Sequence, residues 1–300
     1  MSSDSKIGMI DPKDFCLMTK KLRTFFESKG FLEVHTQSRL SILAACEDPT
    51  TISTYNYADQ VWPLPQTGQM WLEYEMLKNP DKAPGYFCVS TSYRDEPNPV
   101  PGRHDKIFPM FEFEIKGGME DLQKIEEELL EFLGFPKFGE VAGSKFYPEG
   151  NYIDVAEKYQ VKELENEHEE QLYKEYGPVF FLKNFPNYTS PFWNMQQQET
   201  GDAANKIDVL LHGMETIGSA ERSTDPEEMR KQFYTISEGG YSKILFDTFT
   251  KERVEKELEE FLSFNFFKRS GGGIGLTRLI RAMKLSNLLY DNVVGQEKTC

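Results

Sequence analysis

The clearest pattern of apolar and polar positions lies in residues 107–116, where acids alternate with large apolar side chains at the period of a β-strand. A shorter apolar stretch precedes it and ends at Tyr93. Residues 97–102 contain three prolines and a glycine. The prolines exclude a helix there and predict a stiff loop. Residues 91–116 are therefore predicted to form a strand, an exposed loop and a second strand. The alternating positions are Phe111, Glu112, Phe113 and Glu114.

Other stretches repeat apolar residues at the spacing of an α-helix. In residues 14–29 these residues form one face, with Asp14 as the expected N-cap and Gly30 as the stop, and residues 31–34 then read as a strand. The same spacing predicts helices at residues 119–133, 152–176, 226–239 and 251–264.

Short apolar runs predict strands at residues 179–182 and 191–195. Residues 206–222 are apolar around two acids, Asp208 and Glu215, with a turn at Gly213. Two such carboxylates suit Mg²⁺ if a phosphate-binding site lies nearby, because Mg²⁺ takes oxygen ligands and bridges to substrate phosphates.

Composition narrows the class of protein. The chain has 300 residues, of which 39% are hydrophobic and 13% aromatic, enough for a sizeable core. A net charge of −15 argues against an extensive nucleic-acid footprint, which needs a basic surface. The amino terminus shows no basic-then-apolar signal, and no apolar run approaches the roughly 20 residues that span a bilayer. We expect a soluble cytoplasmic protein without a membrane partner.

Candidate chemistry concentrates in two segments. Arg94, Glu96, Arg103 and His104 flank the predicted loop, and arginine is a fork-shaped donor for phosphate oxygens. Far along the chain, a glycine-rich run in residues 271–275 permits close backbone approach and is followed by Arg278 in a predicted helix.

These two segments resemble motifs 2 and 3 of the class II aminoacyl-tRNA synthetases. The resemblance implies that Arg94 holds the α-phosphate of ATP, while Phe108 and Arg278 sandwich the adenine. It places motif 2 at about residues 88–116 and motif 3 at about residues 270–285, in one catalytic domain over residues 1–300. The full set of ATP-binding residues that it implies is Arg94, Glu96, Arg103, His104, Phe108, Gly273, Gly275 and Arg278.

The fold that the resemblance implies is α+β, an antiparallel sheet flanked by helices, as in class II synthetases and biotin ligases. The helix, glycine and strand of residues 14–40 resemble motif 1, which builds a dimer interface in that family, so a homodimer is expected. Gln37 stands where the family usually has proline.

Within the family the chain is similar to the aspartyl and asparaginyl branch. The resemblance implies that Gln69, Glu96 and Arg222 bind the amino acid and that Asp208 and Glu215 hold Mg²⁺. Leu72 stands where aspartyl enzymes place a lysine, so the identity of the amino acid stays open.

The implied reaction is activation of a small amino acid by ATP through an acyl-adenylate. Three acceptors remain in competition. Ammonia is the leading hypothesis, because the resemblance begins near residue 14 without an RNA-binding module and the chain is acidic; this would make the protein similar to a free-standing asparagine synthetase. The alternatives are tRNA, in a minimal synthetase, and a protein or small-molecule amine, or a regulatory paralogue.

Overall fold

The protein is described by a computed structural model that covers residues 10–37, 40–43, 49–100, 102–103, 105–137, 139–141 and 144–290. His104, and residues 38–39 of the segment resembling motif 1, lie outside these ranges. The strands are β1 (Leu32–Glu33), β2 (Thr54–Tyr57), β3 (Gln60–Pro63), β4 (Gly85–Tyr93), β5 (Ile107–Lys116), β6 (Gly139–Val141), β7 (Ser144–Phe146), β8 (Glu149–Asn151), β9 (Val179–Pro186), β10 (Ala203–Leu211), β11 (Glu215–Arg222) and β12 (Arg269–Gly275). The helices are α1 (Pro12–Ser28), α2 (Gln69–Lys78), α3 (Met119–Leu133), α4 (Tyr152–Tyr159), α5 (Asn166–Tyr176), α6 (Pro226–Thr235), α7 (Gly240–Phe249), α8 (Lys251–Leu262) and α9 (Leu276–Leu285).

Eight strands form the central sheet in the order β1-β4-β5-β12-β11-β10-β9-β8. The six inner strands pair antiparallel, whereas β1 joins β4 and β8 joins β9 in parallel. The α+β prediction is confirmed, with a sheet that is mixed only at its edges. The glycine-rich run forms β12, the buried strand between β5 and β11.

The period-two pattern of β5 divides the sheet into an apolar and a polar face. Phe111 and Phe113 point into a core built with α1, α3 and α9, where both rings lie within 5.2 Å of the Phe26 ring centroid. Glu112 and Glu114 are equally buried but face the opposite side, because neighbouring side chains of a strand alternate. Burial of two carboxylates in mid-strand marks this second face as the place where polar chemistry is concentrated.

Four details of the sequence-based prediction are wrong. Asp11, not Asp14, caps α1 by accepting from the backbone of Lys13. The predicted helix over residues 152–176 is divided into α4 and α5, since Gln160 adopts a left-handed conformation. Residues 191–195 do not form a strand and contribute one isolated bridge, and α7 was not predicted.

Among the described residues, no helix has the length and apolarity needed to cross a bilayer.

Candidate active site

A cavity of about 400 Å³ opens on the polar face, between the β4–β5 loop, the β10–β11 turn and the start of α9. The sequence-predicted residues in its wall are Arg94, Glu96, Arg103, Phe108, Glu215, Gly273, Gly275 and Arg278. Residues separated by more than 180 positions in sequence thus share one concave site. We call it the larger cavity.

Arg94 is held at the entrance of the β4–β5 loop. Its backbone N–H donates to the Lys106 carbonyl at 2.8 Å, which closes the loop. The guanidinium carbon lies 5.6 Å from the ring centroid of Phe108, a cation–π contact. Within the described part of the chain, Arg94 Nε donates no hydrogen bond although it is buried. An unpaired, buried donor of this kind suits an anionic ligand in the cavity.

Arg278 connects the two loops that border the larger cavity. Its Nη1 donates to the Glu215 carbonyl at 2.7 Å, and its Nη2 donates to the Arg103 carbonyl at 3.2 Å. The guanidinium plane is therefore fixed before any ligand binds, and it lines the same cavity as Phe108. Phe108 and Arg278, which the resemblance places on either side of the adenine, thus lie in the wall of one cavity.

Arg103 forms an ion pair with Glu169 of α5, and its Nη1 donates to the Gly213 carbonyl at 3.3 Å. Burial raises the pKa of Glu169 to about 7, and repulsion from Glu215 adds to this rise while Arg103 opposes it. No pattern in the sequence indicated this partner, because Glu169 lies among many acids in a helix that reads as solvent-exposed.

Asp208 and Glu215 approach one another above Gly218. A Cβ at Gly218 would lie 3.0 Å from Glu215 Oε1 and 3.6 Å from Asp208 Oδ1, so the glycine leaves room between the two carboxylates. No cluster of three or more His, Cys, Asp or Glu ligands occurs in the ranges that the structure covers. Two carboxylates beside a phosphate-sized cavity fit Mg²⁺, which keeps waters and substrate oxygens as its remaining ligands.

A smaller cavity of about 100 Å³ adjoins the larger one. Gln69 and Arg222, both expected to bind the amino acid, line it together with Lys206 and Glu112. The two cavities have in common Arg94, Met110, Glu215, Gly218 and Gly273. Glu96, expected to contact both ligands, lines only the larger cavity.

Gln69 is placed by the buried carboxylate of Glu112. That carboxylate accepts from the Gly68 backbone at 2.8 Å, from Ser90 Oγ at 2.5 Å and from the hydroxyl of Thr67. These bonds fix the segment immediately before α2, so the helix starts at Gln69 on the cavity wall.

Arg222 belongs to a buried network of charges. Its Nη2 and Nε donate to Glu114 Oε1 at 2.5 and 3.1 Å, and Nε lies 3.7 Å from Glu73 Oε1. Glu73 also accepts from Arg269 Nε and Nη2 at 3.0 and 2.7 Å. Burial raises the pKa of Glu114 to about 7 against the lowering effect of Arg222. The guanidinium of Arg222, expected from the resemblance to bind the amino acid, thus already donates two hydrogen bonds to a buried carboxylate of the protein itself.

The structure brings together the predicted residues that it describes, and it adds five buried charged residues. Of these five, only Glu112 and Glu114 could be singled out from the sequence, because they alternate with apolar residues in β5. Nothing in the local pattern distinguished the others, which are Glu73, Lys206 and Arg269.

Comparison with known proteins gives a consistent picture. A model of the family described as tRNA synthetases class II (D, K and N) matches residues 15–289. The aspartate–tRNA(Asp) ligase of Pyrobaculum aerophilum is 24% identical over 92% of this chain and 63% of that protein. Aspartate–tRNA ligase 1, cytoplasmic, of Arabidopsis thaliana is 24% identical over 72% of this chain and 46% of that protein.

Among solved structures, asparaginyl-tRNA synthetase from Pyrococcus horikoshii in complex with asparaginyl-adenylate superposes with a TM-score of 0.69 at 21% identity. The match covers 92% of this chain and 67% of that one. At this identity the likeness establishes the fold. The chain spans between 46% and 66% of the length of the first three curated relatives.

Proposed function

The chain belongs to the class II tRNA synthetase family (D, K and N), and we propose that it activates an amino acid with ATP to give an aminoacyl-adenylate and pyrophosphate. The observation that carries this proposal is the junction of the two cavities at Arg94. A nucleotide in the larger cavity and an amino acid in the smaller one would meet at this guanidinium.

In this reaction a carboxylate oxygen of the amino acid forms a bond to the α-phosphorus, and the bond from that phosphorus to the bridging oxygen of pyrophosphate breaks. Negative charge increases on the α-phosphate oxygens in the transition state. Arg94, whose Nε has no partner in the described part of the chain, supplies a fixed donor there. Positioning and charge neutralisation provide most of the acceleration in chemistry of this type.

Asp208 and Glu215 would hold Mg²⁺, which supplies charge neutralisation for the phosphate oxygens. Arg278 and Phe108 would bind the adenine between them, and Arg103 would meet the distal phosphates. Each of these residues except Asp208 lines the larger cavity. Asp208 Oδ1 reaches the same place across Gly218.

The comparisons favour aspartate or asparagine as the amino acid and tRNA as the acceptor, since the relatives named above are aspartate–tRNA ligases and an asparaginyl-tRNA synthetase. They do not support the asparagine-synthetase-like reaction with ammonia that the sequence favoured. We therefore propose the tRNA 3′ end as the acceptor, and the net charge of −15 predicts a weak interaction with the RNA backbone.

The test is ATP–pyrophosphate exchange with each amino acid in turn, followed by transfer to bulk tRNA or to ammonium. We expect exchange with one of aspartate and asparagine, and charged tRNA without a free amide product. Arg94→Ala should reduce exchange by more than about 100-fold, while Arg230→Ala, at a surface ion pair with Glu259, should not. Exchange that persists in Arg94→Ala contradicts the assignment.

We also propose a homodimer through α1 and β1. Leu32 of β1 is 46% exposed, which leaves a large apolar side chain uncovered on this surface. Light scattering at micromolar concentration should give twice the chain mass of 34.7 kDa, and a monomer mass contradicts the proposal.

A further inference from the structure

The β10–β11 turn, residues 212–214, is built on two left-handed residues. The Leu211 N–H donates to the Met214 carbonyl at 2.9 Å, so the chain reverses at His212 and Gly213, which have φ angles of +50° and +70°. Positive φ at both central positions is the pattern of a type I′ turn, whose preferred pair is Asn-Gly. Histidine adopts this conformation less readily than asparagine, so its presence at the first position indicates a role for the imidazole.

The imidazole of His212 attaches the turn to two helices. Its Nε2 lies 2.7 Å from the hydroxyl oxygen of Ser286, the C-cap of α9, and the two groups share a hydrogen bond. The centroid of its ring lies 5.1 Å from that of Tyr173 on α5. His212, Ser286 and Tyr173 line neither cavity, so the imidazole acts on the site only through the turn.

The backbone of the same hairpin orients two arginines of the larger cavity. The Gly213 carbonyl accepts from Arg103 Nη1 at 3.3 Å. The Glu215 carbonyl accepts from Arg278 Nη1 at 2.7 Å. A displacement of the turn would therefore move both carbonyl groups and, with them, both guanidinium groups.

Helix α9 contacts the hairpin at both of its own ends. Arg278, near the start of the helix, bonds to the backbone of Glu215, and Ser286, directly after its last residue, bonds to His212. Two attachments at separate points fix the orientation of the turn relative to the helix, whereas a single attachment allows rotation about it. The bond between His212 and Ser286 is the second of these attachments.

We propose that His212 is a positioning residue for the nucleotide. Through its bond to Ser286 the imidazole fixes the turn, and the turn carbonyls orient Arg103 and Arg278. This inference rests on the proposed function, because that function assigns both arginines to ATP. A purely structural role is the competing explanation. The two differ in what loss of the imidazole changes: the affinity for ATP alone, or the stability of the fold together with the affinity for both substrates.

The experiment measures binding of ATP with Mg²⁺, in the absence of amino acid, by isothermal titration calorimetry. The proteins compared are wild type, His212→Asn, Ser286→Ala and the double variant. Asparagine suits the turn, but its side chain is too short to replace the imidazole at Ser286. The matched control is Ser263→Ala, which removes the hydroxyl at the C-cap of α8, outside both cavities. Thermal unfolding and binding of aspartate and asparagine are measured for each protein.

His212→Asn and Ser286→Ala should each weaken ATP binding about fivefold, the effect of one lost hydrogen bond. The affinity for the amino acid that the wild type binds should stay within about twofold. The double variant should match the single variants within about twofold, because both changes remove the same bond. The unfolding temperature of His212→Asn should stay within about 2 °C of wild type, since the preferred turn pair offsets the lost contacts. Ser263→Ala should match wild type throughout.

Three results would overturn the proposal: unchanged ATP affinity in both single variants, an equal loss of ATP and amino-acid affinity, and additive losses in the double variant. If His212→Asn does not fold, Ser286→Ala, which leaves the sequence of the turn intact, replaces it in the comparison. Calorimetry needs no turnover. A wild type that binds ATP with this dependence on His212 but exchanges no pyrophosphate therefore counts against the proposed function alone, and a wild type that binds no ATP overturns both.

Discussion

Arg103, which lines the larger cavity, forms an ion pair with Glu169 that joins the β4–β5 loop to helix α5. The pair lies close to Gly213, where a Cβ would come within 3.3 Å of the Glu169 carbonyl, so the β10–β11 turn and α5 are packed tightly here. A polyphosphate that enters the cavity must share Arg103 with this carboxylate. Glu169 is thus an internal competitor for the proposed nucleotide.

The first prediction concerns a substitution that removes the charge of Glu169, and with it this competition for Arg103. Glu169→Gln keeps an oxygen that accepts from Arg103 but has no charge, so the KM for ATP should fall about threefold at pH 8. At pH 6 the difference should shrink, because Glu169 with a pKa of about 7 is then largely protonated in the wild type. Steady-state pyrophosphate exchange at both pH values measures the effect.

The matched control for this change is Glu170→Gln, the exposed neighbour on α5. It should leave the KM for ATP unchanged at both pH values. A higher KM in Glu169→Gln at pH 8 would show that the carboxylate positions Arg103 for the phosphates rather than competing with them.

The second prediction concerns the two carboxylates at Gly218. Glu215→Gln and Asp208→Asn should each raise the Mg²⁺ concentration needed for half-maximal exchange about tenfold or more, since each removes one charged oxygen ligand. Glu227→Gln, on the surface of α6, serves as the control. Titration of Mg²⁺ at fixed ATP checks the prediction, and an unchanged midpoint in both site variants refutes it.

The third prediction concerns stability. Glu126 of α3 is fully buried, and burial raises its pKa to about 8 from 4.5. The native state therefore keeps a proton that the unfolded chain releases above pH 4.5. The contribution of Glu126 to stability is complete below that pH and is lost progressively as the pH rises toward 8. At pH 7 the loss amounts to roughly 3 kcal/mol.

Glu126→Met removes this dependence. Urea unfolding should find the variant more stable relative to wild type at pH 8 than at pH 5. Glu127→Gln, the half-buried neighbour on the same helix, should show no such trend. An equal free-energy difference at the two pH values would mean that Glu126 is not protonated in the folded protein.

The fourth prediction separates two glycines of β12. A Cβ at Gly271 would lie 2.2 Å from Glu114 Cδ and 2.4 Å from the Phe113 carbonyl, so Gly271→Ala should destabilise the fold by about 3 kcal/mol or more. At Gly275 the nearest atom would be 3.9 Å away. Gly275→Ala should keep the stability of the wild type and weaken ATP binding, because the residue lines the larger cavity. Urea unfolding and exchange kinetics of both variants test the contrast.

The sequence by itself determined the order and type of the elements that carry the nucleotide residues. Alternation of apolar and acidic positions identified β5, and the glycine between two apolar runs predicted the turn at Gly213, which the structure shows in a left-handed conformation between β10 and β11. These patterns are local, since periodicity reflects which face of one element is buried. Periodicity alone does not bring two elements together, and it was the resemblance to motifs 2 and 3 that assigned Arg94, Phe108 and Arg278 to one site.

Only the tertiary structure decided which charges pair with one another. Arg222 meets Glu114 from 108 positions away, and Glu169 meets Arg103 across 66 positions. Lys206 reads in sequence as an ordinary strand lysine, and its burial in the smaller cavity depends on the strands and loops around it. Such pairings follow from strand order and packing, which apolar periodicity within one element does not encode. The residues of the larger cavity could therefore be named from the resemblance to motifs 2 and 3, whereas the pairing of the buried charges that line the smaller cavity could not.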